Sequence, residues 1–327
     1  MTDDSRIAVS CLSDILPRYG IDPNRYSFID QDDRCHGSGW NILNSALESA
    51  DFVLCMGDAT WFDELGRCER RAFIDVDPLF TQVELLSKDS RLKEVLDNYD
   101  TLFTEGLRVG LDDCVVPTVD RTWIPTLPVI ATQLWEVTEP GERLPVTNLM
   151  NWESGTPVEY DNRIYGYKKQ EFETFIDLPL RTTRRFLLAA GGRVPKKRLS
   201  NHGWNLVNPL EVTSTIEAYK YFIARSYADL GIVKNAYVAS RCGWFSDRST
   251  CYLAAGRPVL HQDTGFGDWL PVGEGLFAFS SVEDVLDILE MLEMDYERHA
   301  RTARMIAEEH FEARKVLAHM LETAGYR

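Results

Sequence analysis

The chain has 327 residues, 44% of them hydrophobic and 26% charged, which fits a folded protein of about two domains. Its formal net charge of −16 argues against duplex nucleic acid as a partner, because such binders need clustered cations to displace counterions. No apolar run approaches the ~20 residues needed to cross a bilayer, and the acidic start Met1-Thr2-Asp3-Asp4 is unlike a signal peptide, so a cytoplasmic protein with no membrane partner is expected.

In chain order, helical spacing of Ile7, Cys11, Leu12, Ile15 and Leu16 predicts a helix over 6–19, and a second is predicted over 41–50. Phe52-Val53-Leu54-Cys55-Met56 reads as a short buried strand, closed by Gly57-Asp58. The next strand is predicted over 71–78 and stops at Pro78. A helix over 82–96 and a strand over 101–104 follow. Short apolar strands alternating with helices indicate a parallel sheet with crossover helices. A proline-rich crossing runs from Pro117 to Pro145, and the aromatics of 147–180 read as a core plug between sheet and helices, with a binding surface as the other reading. A second α/β unit is predicted from Phe186 to Gly192, then a helix over 214–229 and a strand over 236–239. Residues 281–324 read as almost wholly helical, with Ser281 and Asp284 as a capping-box start.

The most informative stretch runs from Gly243 to Gly267. Ser246, Asp247, Ser249 and Thr250 open a helix whose free N–H groups and positive dipole end suit a phosphate. A plain N-cap is the other reading of the same residues. The strand Pro258–Asp263 then ends in the polar glycine loop Thr264-Gly265-Phe266-Gly267. Ligands of such sheets bind beyond the carboxyl ends of the strands. Arg248 and Lys234 are the candidate cations for a diphosphate, and Gly191 with Gly192 offers close backbone approach. Asp77 and Asp58, each at the carboxyl end of a predicted strand, are the candidate catalytic carboxylates. His261, in a predicted buried strand, reads as a core histidine. Seven scattered cysteines without a CxxC pair and six dispersed histidines point to no metal site and no disulfide framework.

Several of these pieces together resemble the GT-B-fold glycosyltransferases, bacterial ones in particular. They are Lys234-Asn235, Gly243 to Ser249, Tyr252-Leu253-Ala254, Gly256-Arg257-Pro258-Val259, Gln262 to Phe266 and Gly273-Glu274-Gly275-Leu276. Upstream, Asp75-Val76-Asp77-Pro78, Asn151-Trp152 and Tyr165-Gly166 are similar to the same family. The resemblance implies an α/β chain of two Rossmann-like domains. Residues 1–135 would form the acceptor side, and 136–327 the nucleotide-sugar-binding domain with its terminal helices. The residues before Phe52 hold no glycine-rich loop beyond Gly37 and Gly39, so the N-terminal domain is expected to be truncated or altered. The implied activity is transfer of a sugar from a nucleotide-diphospho-sugar to a hydroxyl-bearing acceptor, with no cofactor and no metal. Two glutamates found in many retaining members fall on Gly243 and Cys251 here. A non-catalytic binding or scaffold protein on the same fold therefore stays open, as does a homodimer.

Overall fold

Two parallel sheets carry the fold in the computed structural model, which describes residues 5–326 except 23, 31, 33, 38, 58–62, 89, 139–143 and 154. The chain enters through α1 (Ser5–Ile15), the antiparallel pair β1 (Phe28–Ile29) and β2 (Cys35–His36), and α2 (Gly39–Glu48). Then β3 (Val53–Met56), β4 (Arg71–Asp75), β5 (Thr101–Thr104) and β6 (Ile124–Pro125) pair in parallel, in sequential order. Between β4 and β5 lie α3 (Phe80–Leu85) and α4 (Leu92–Leu96). One helix was expected over 82–96. The break arises because the Ser90 hydroxyl accepts from Leu92 N at 3.1 Å and starts a new helix.

The second sheet begins with β7 (Val146–Asn151). The hairpin β8 (Val158–Tyr160) and β9 (Arg163–Tyr165) and the helix α5 (Lys168–Phe172) follow. Next come β10 (Phe186–Gly191), α6 (Lys196–Asn201), β11 (Asn205–Val207), α7 (Pro209–Thr213), α8 (Ile216–Ala224) and β12 (Ala228–Gly231). After these stand α9 (Asn235–Ser240), α10 (Asp247–Ala254), β13 (Val259–Gln262) and β14 (Leu276–Phe279). The six strands are all parallel, in the order β11-β10-β7-β12-β13-β14.

Two corrections to the sequence reading concern the strands nearest the centre. Residues 236–239, expected as a strand, lie in α9, and the strand is β12, which begins in the last two residues of the range expected as helix. The buried Asp229 disguised it. β7 was not expected at all, because the polar Thr147 and Asn148 interrupt its apolar pattern. Both are 1% exposed and satisfied inside: the Thr147 hydroxyl bonds Ser226 Oγ and Tyr252 Oη at 2.8 Å each, and Asn148 donates to Leu230 O.

The aromatic stretch takes the core reading. Trp152, Phe172, Trp204 and Phe186 form a chain with ring centroids 5.0, 4.7 and 5.4 Å apart, all buried. Burying each Phe contributes about 1.5–3 kcal/mol. The expected helical tail divides into α11 (Val282–Met294), α12 (Tyr296–Ile306) and α13 (Ala313–Thr323), with a π-turn over Ala307–Phe311. The α11 start is the expected capping box of Ser281 and Asp284. At Phe311 the chain turns back: Ile130 N donates to Phe311 O at 2.8 Å, and Ala313 N to Ile130 O at 2.9 Å. α13 then packs Met320 on Ala72, Ile74 and Phe103 of the first sheet.

Candidate functional site between the two sheets

The order of the second sheet reverses between β7 and β12. Crossover helices diverge there and open a crevice at the carboxyl ends of the strands. Glu153 follows β7, and Lys234 follows β12. The exits of β4 and β5 in the first sheet face them. Lys234 Nζ lies 2.7 and 2.9 Å from the two oxygens of Asp77, and Tyr237 donates its hydroxyl to the same carboxylate. Trp244 Nε1 donates to Val76 O at 3.2 Å, and Arg108 N to Cys242 O at 3.0 Å. Asp77 is thus engaged by two donors from the opposite side. Asp58 lies outside the described residues.

The start of α10 borders this crevice. Ser246 is the N-cap, but its side chain does not cap. Its N–H donates to His261 Nε2 at 3.3 Å, and Arg248 N donates to Asp247 Oδ1 at 2.7 Å. The N–H groups of Asp247 and Ser249 have no partner among the described residues. The side chains of this turn, by contrast, point inward. Ser249 Oγ donates to Asp229 Oδ2 at 2.7 Å, and Thr250 Oγ1 to Asp247 O at 2.6 Å. Arg248 is 9% exposed and donates to Leu149 O at 2.7 Å, with Asp229 Oδ2 at 3.4 Å. What the turn offers an anion is therefore its amides. The Arg248 guanidinium is an internal strut.

The glycine loop is also committed. Thr264 is fully buried and donates to Trp244 O at 2.7 Å. Gly265 has φ +90°, and a Cβ there would stand 2.4 Å from Arg108 Cδ. A Cβ on Gly243, at φ +78°, would meet Arg108 Cγ at 2.9 Å. Arg108 thus runs between two glycine notches, and its guanidinium pairs with Asp113 and Asp268. Gly191 and Gly192 close β10 on the open side. A Cβ on Gly191 would stand 2.8 Å from Asn151 Oδ1. Gly192 lines a cavity of about 390 Å³ with Glu153, Gly155, Tyr167, Lys169 and Arg193. Lys169 there holds Glu153 at 2.7 Å, which keeps that carboxylate below its ordinary pKa.

Two groups at the crevice escaped the sequence reading. Lys168 opens α5 and is half-buried, with no hydrogen bond or ion pair among the described residues. Burial first, and then the positive Arg248 and Lys234, push its pKa down to about 7. Glu105, at the exit of β5, is 8% exposed. Burial, and then Asp247 and Asp75, push its pKa well above the carboxylate range. Neither lies in a recognisable motif; only position at a strand or helix end could have flagged them. His261 is a core residue as expected. It is fully buried and stacked on Phe245 at 4.8 Å, and burial pushes its pKa down to about 3.

No protein-family model matches the chain, and no curated protein aligns with it. Solved structures do match its fold. A sucrose-phosphate synthase from Thermosynechococcus elongatus gives a TM-score of 0.53 at 10% identity, over 98% of this chain and 92% of that one. The Anabaena protein HepE, solved with UDP, gives 0.56 at 10% identity, over 88% and 82%. An alpha-glucosyltransferase, solved with UDP-glucose and DNA containing an abasic site, gives 0.55 at 10% identity, over 88% and 83%. At such identity the likeness is one of fold: the chain has a GT-B glycosyltransferase-like fold of Rossmann-like α/β units.

Proposed function

We propose that this chain transfers a sugar from a nucleoside-diphosphate donor to a hydroxyl-bearing acceptor, in the crevice between its two sheets. The observation that carries the reading is Lys168, a half-buried lysine with no partner among the described residues, near the open amides of α10. A cation drawn partly out of water without an ion pair is costly, and an anionic ligand supplies the missing contact. The diphosphate leaves carrying the electrons of the broken glycosidic bond. Lys168 and the N–H groups of Asp247 and Ser249 would stabilise that developing charge. The neighbours solved with UDP and UDP-glucose support a uridine nucleotide as the first donor to try. Residues 1–135 with α13 would form the acceptor side, and 136–312 the donor side.

The test is thermal shift and titration calorimetry with UDP, GDP and dTDP. A melting point that rises with one of them is the expected result. Incubation with the matching nucleotide sugar then reads transfer or hydrolysis. No shift with any of the three removes the donor site.

A non-catalytic binding protein is the second reading, favoured by Gly243 and Cys251. Gly243 is packed on Arg108, and the Cys251 thiol is turned onto Asp247 O at 3.6 Å, so neither offers a carboxylate to a ribose. Nucleotide binding without turnover of any donor sugar would select it.

A further inference from the structure

A cavity of about 620 Å³ lies between α8 and the second sheet, within the range of about 300–1,000 Å³ that small-molecule sites occupy. Its floor is Thr147 of β7, Leu187 of β10 and Val207 of β11. Thr147 and Leu187 stand side by side in register. β10 is paired on both edges, yet Leu187 is only half-buried, because the cavity separates it from the helix above. The roof is one face of α8, where Ala218, Tyr221, Phe222 and Arg225 recur at helical spacing. The charges are sorted to the two ends. Arg185 precedes β10 and Arg225 is the C-cap residue of α8, so both stand where the strands begin. Glu211 of α7 stands at the other end, past the last residue of β11. The Arg225 side chain lies over the Tyr221 ring at 5.5 Å and makes no hydrogen bond or ion pair among the described residues. Arg185, Arg225 and Glu211 together leave the lining with a net positive charge, in a chain whose net charge is −16.

Apolar walls with cations at one end suit an apolar body that carries one anionic head. A neutral ligand would gain nothing from Arg225. A nucleoside diphosphate would set its charges against Leu187, Val207 and Phe222. We propose that this cavity binds an amphipathic carboxylate, its apolar chain between α8 and the sheet and its carboxylate on Arg225. The cavity lies over the first residues of β7 and β10, and the crevice lies beyond their last, so binding here is independent of whether the crevice takes a nucleotide. No covalent bond forms or breaks.

The test is calorimetric titration of the full chain with octanoate at about pH 8, where a carboxyl is ionised, with octanol as the neutral control. One octanoate per chain is expected, with octanol roughly tenfold weaker. Arg225→Met removes the charge of an exposed residue and keeps an apolar stem. It should weaken octanoate by about tenfold and leave octanol unchanged. Ala218→Trp fills the space between α8 and the sheet and should abolish the binding of both. No binding of octanoate to wild type at about 1 mM overturns the proposal. So does equal affinity for octanoate and octanol, or wild-type octanoate affinity in Arg225→Met. An Ala218→Trp protein that melts like wild type and still binds octanoate puts the ligand elsewhere and overturns it too. If Ala218→Trp does not fold, Arg225→Met decides alone. Octanoate affinity that falls as protein concentration rises, with a matching change in sedimentation, makes a second copy of the chain the occupant and overturns the proposal.

Discussion

Asp77 and Lys234 meet at 2.7 Å from opposite sides of the crevice. The carboxylate follows a strand of the first sheet, and the ammonium belongs to the N-cap residue of α9, beyond a strand of the second. The lysine also lies over the rings of Phe80 and Tyr237, at 4.6 and 5.2 Å. The pair joins the two sheets and is partly exposed on the Asp77 side. A double-mutant cycle with Asp77→Asn and Lys234→Met is expected to give a coupling of about 0.5–1 kcal/mol, discounted for solvent. Additive denaturation midpoints would show that the pair clamps nothing.

Lys168 carries the ligand-site argument, and its removal has opposite effects on binding and on stability. Loss of a charge-assisted contact worth about 1.5–3 kcal/mol should weaken UDP binding roughly 10- to 100-fold in Lys168→Met. The folded-state pKa, pushed down to about 7, lies below the unfolded value, so the unfolded chain binds the extra proton between the two. Wild-type stability therefore rises from about pH 7 to about pH 10.4, and the charged lysine is a burden below that window. Lys168→Met should be the more stable protein at pH 7 and should lose this slope. Equal melting curves across the window would place the ammonium in bulk water.

Arg248 and Asp247 are neighbours in sequence with opposite roles. Arg248→Ala strips Asp229, which is fully buried, of its guanidinium and leaves the carboxylate with Ser249 alone. A loss of about 3–5 kcal/mol is expected in urea denaturation. Asp247→Ala acts on an exposed residue and should leave the fold intact. It releases the N–H of Arg248 and takes a negative charge from the helix mouth, so UDP affinity is expected to rise about two- to fivefold. Weaker binding in Asp247→Ala would mean that this carboxylate contacts the ligand's sugar or base.

Arg108 tests the glycine notches. Gly265→Ala forces a left-handed φ on alanine and drives its methyl into the arginine stem, for an expected loss of about 2–4 kcal/mol. In an Arg108→Ala background the clash is gone. Only the backbone cost of about 1–2 kcal/mol should remain. Measured midpoints with the same Gly265→Ala loss in both backgrounds would dismiss the notch.

Legibility in the sequence followed the hydrophobic pattern. β3, β5, β10 and β13 are short apolar runs and stood out. The stretch from Gly243 to Gly267 read correctly as helix, strand and glycine loop. β7 and β12 did not stand out, because Thr147, Asn148 and Asp229 look like surface residues. They are tolerated at the sheet centre only because Ser226, Tyr252, Leu230, Ser249 and Arg248 satisfy them from distant parts of the chain. For the same reason Arg248, Ser249 and Thr250 looked like ligand contacts: a polar side chain at a helix start does not declare whether it points outward.

The amino-acid order alone determined the α/β class, the parallel sheets and the helix whose start borders the crevice, since these follow from local periodicity and from glycine and proline placement. Tertiary structure decided which charges face that crevice. Lys168, Glu105 and Asp77 lie far apart along the chain and in no shared motif, and they gather only because the carboxyl ends of two sheets oppose each other. The ionisation of Lys168 and Glu105 is set by burial first and then by charges from other parts of the chain, which surround them only once the two sheets have met.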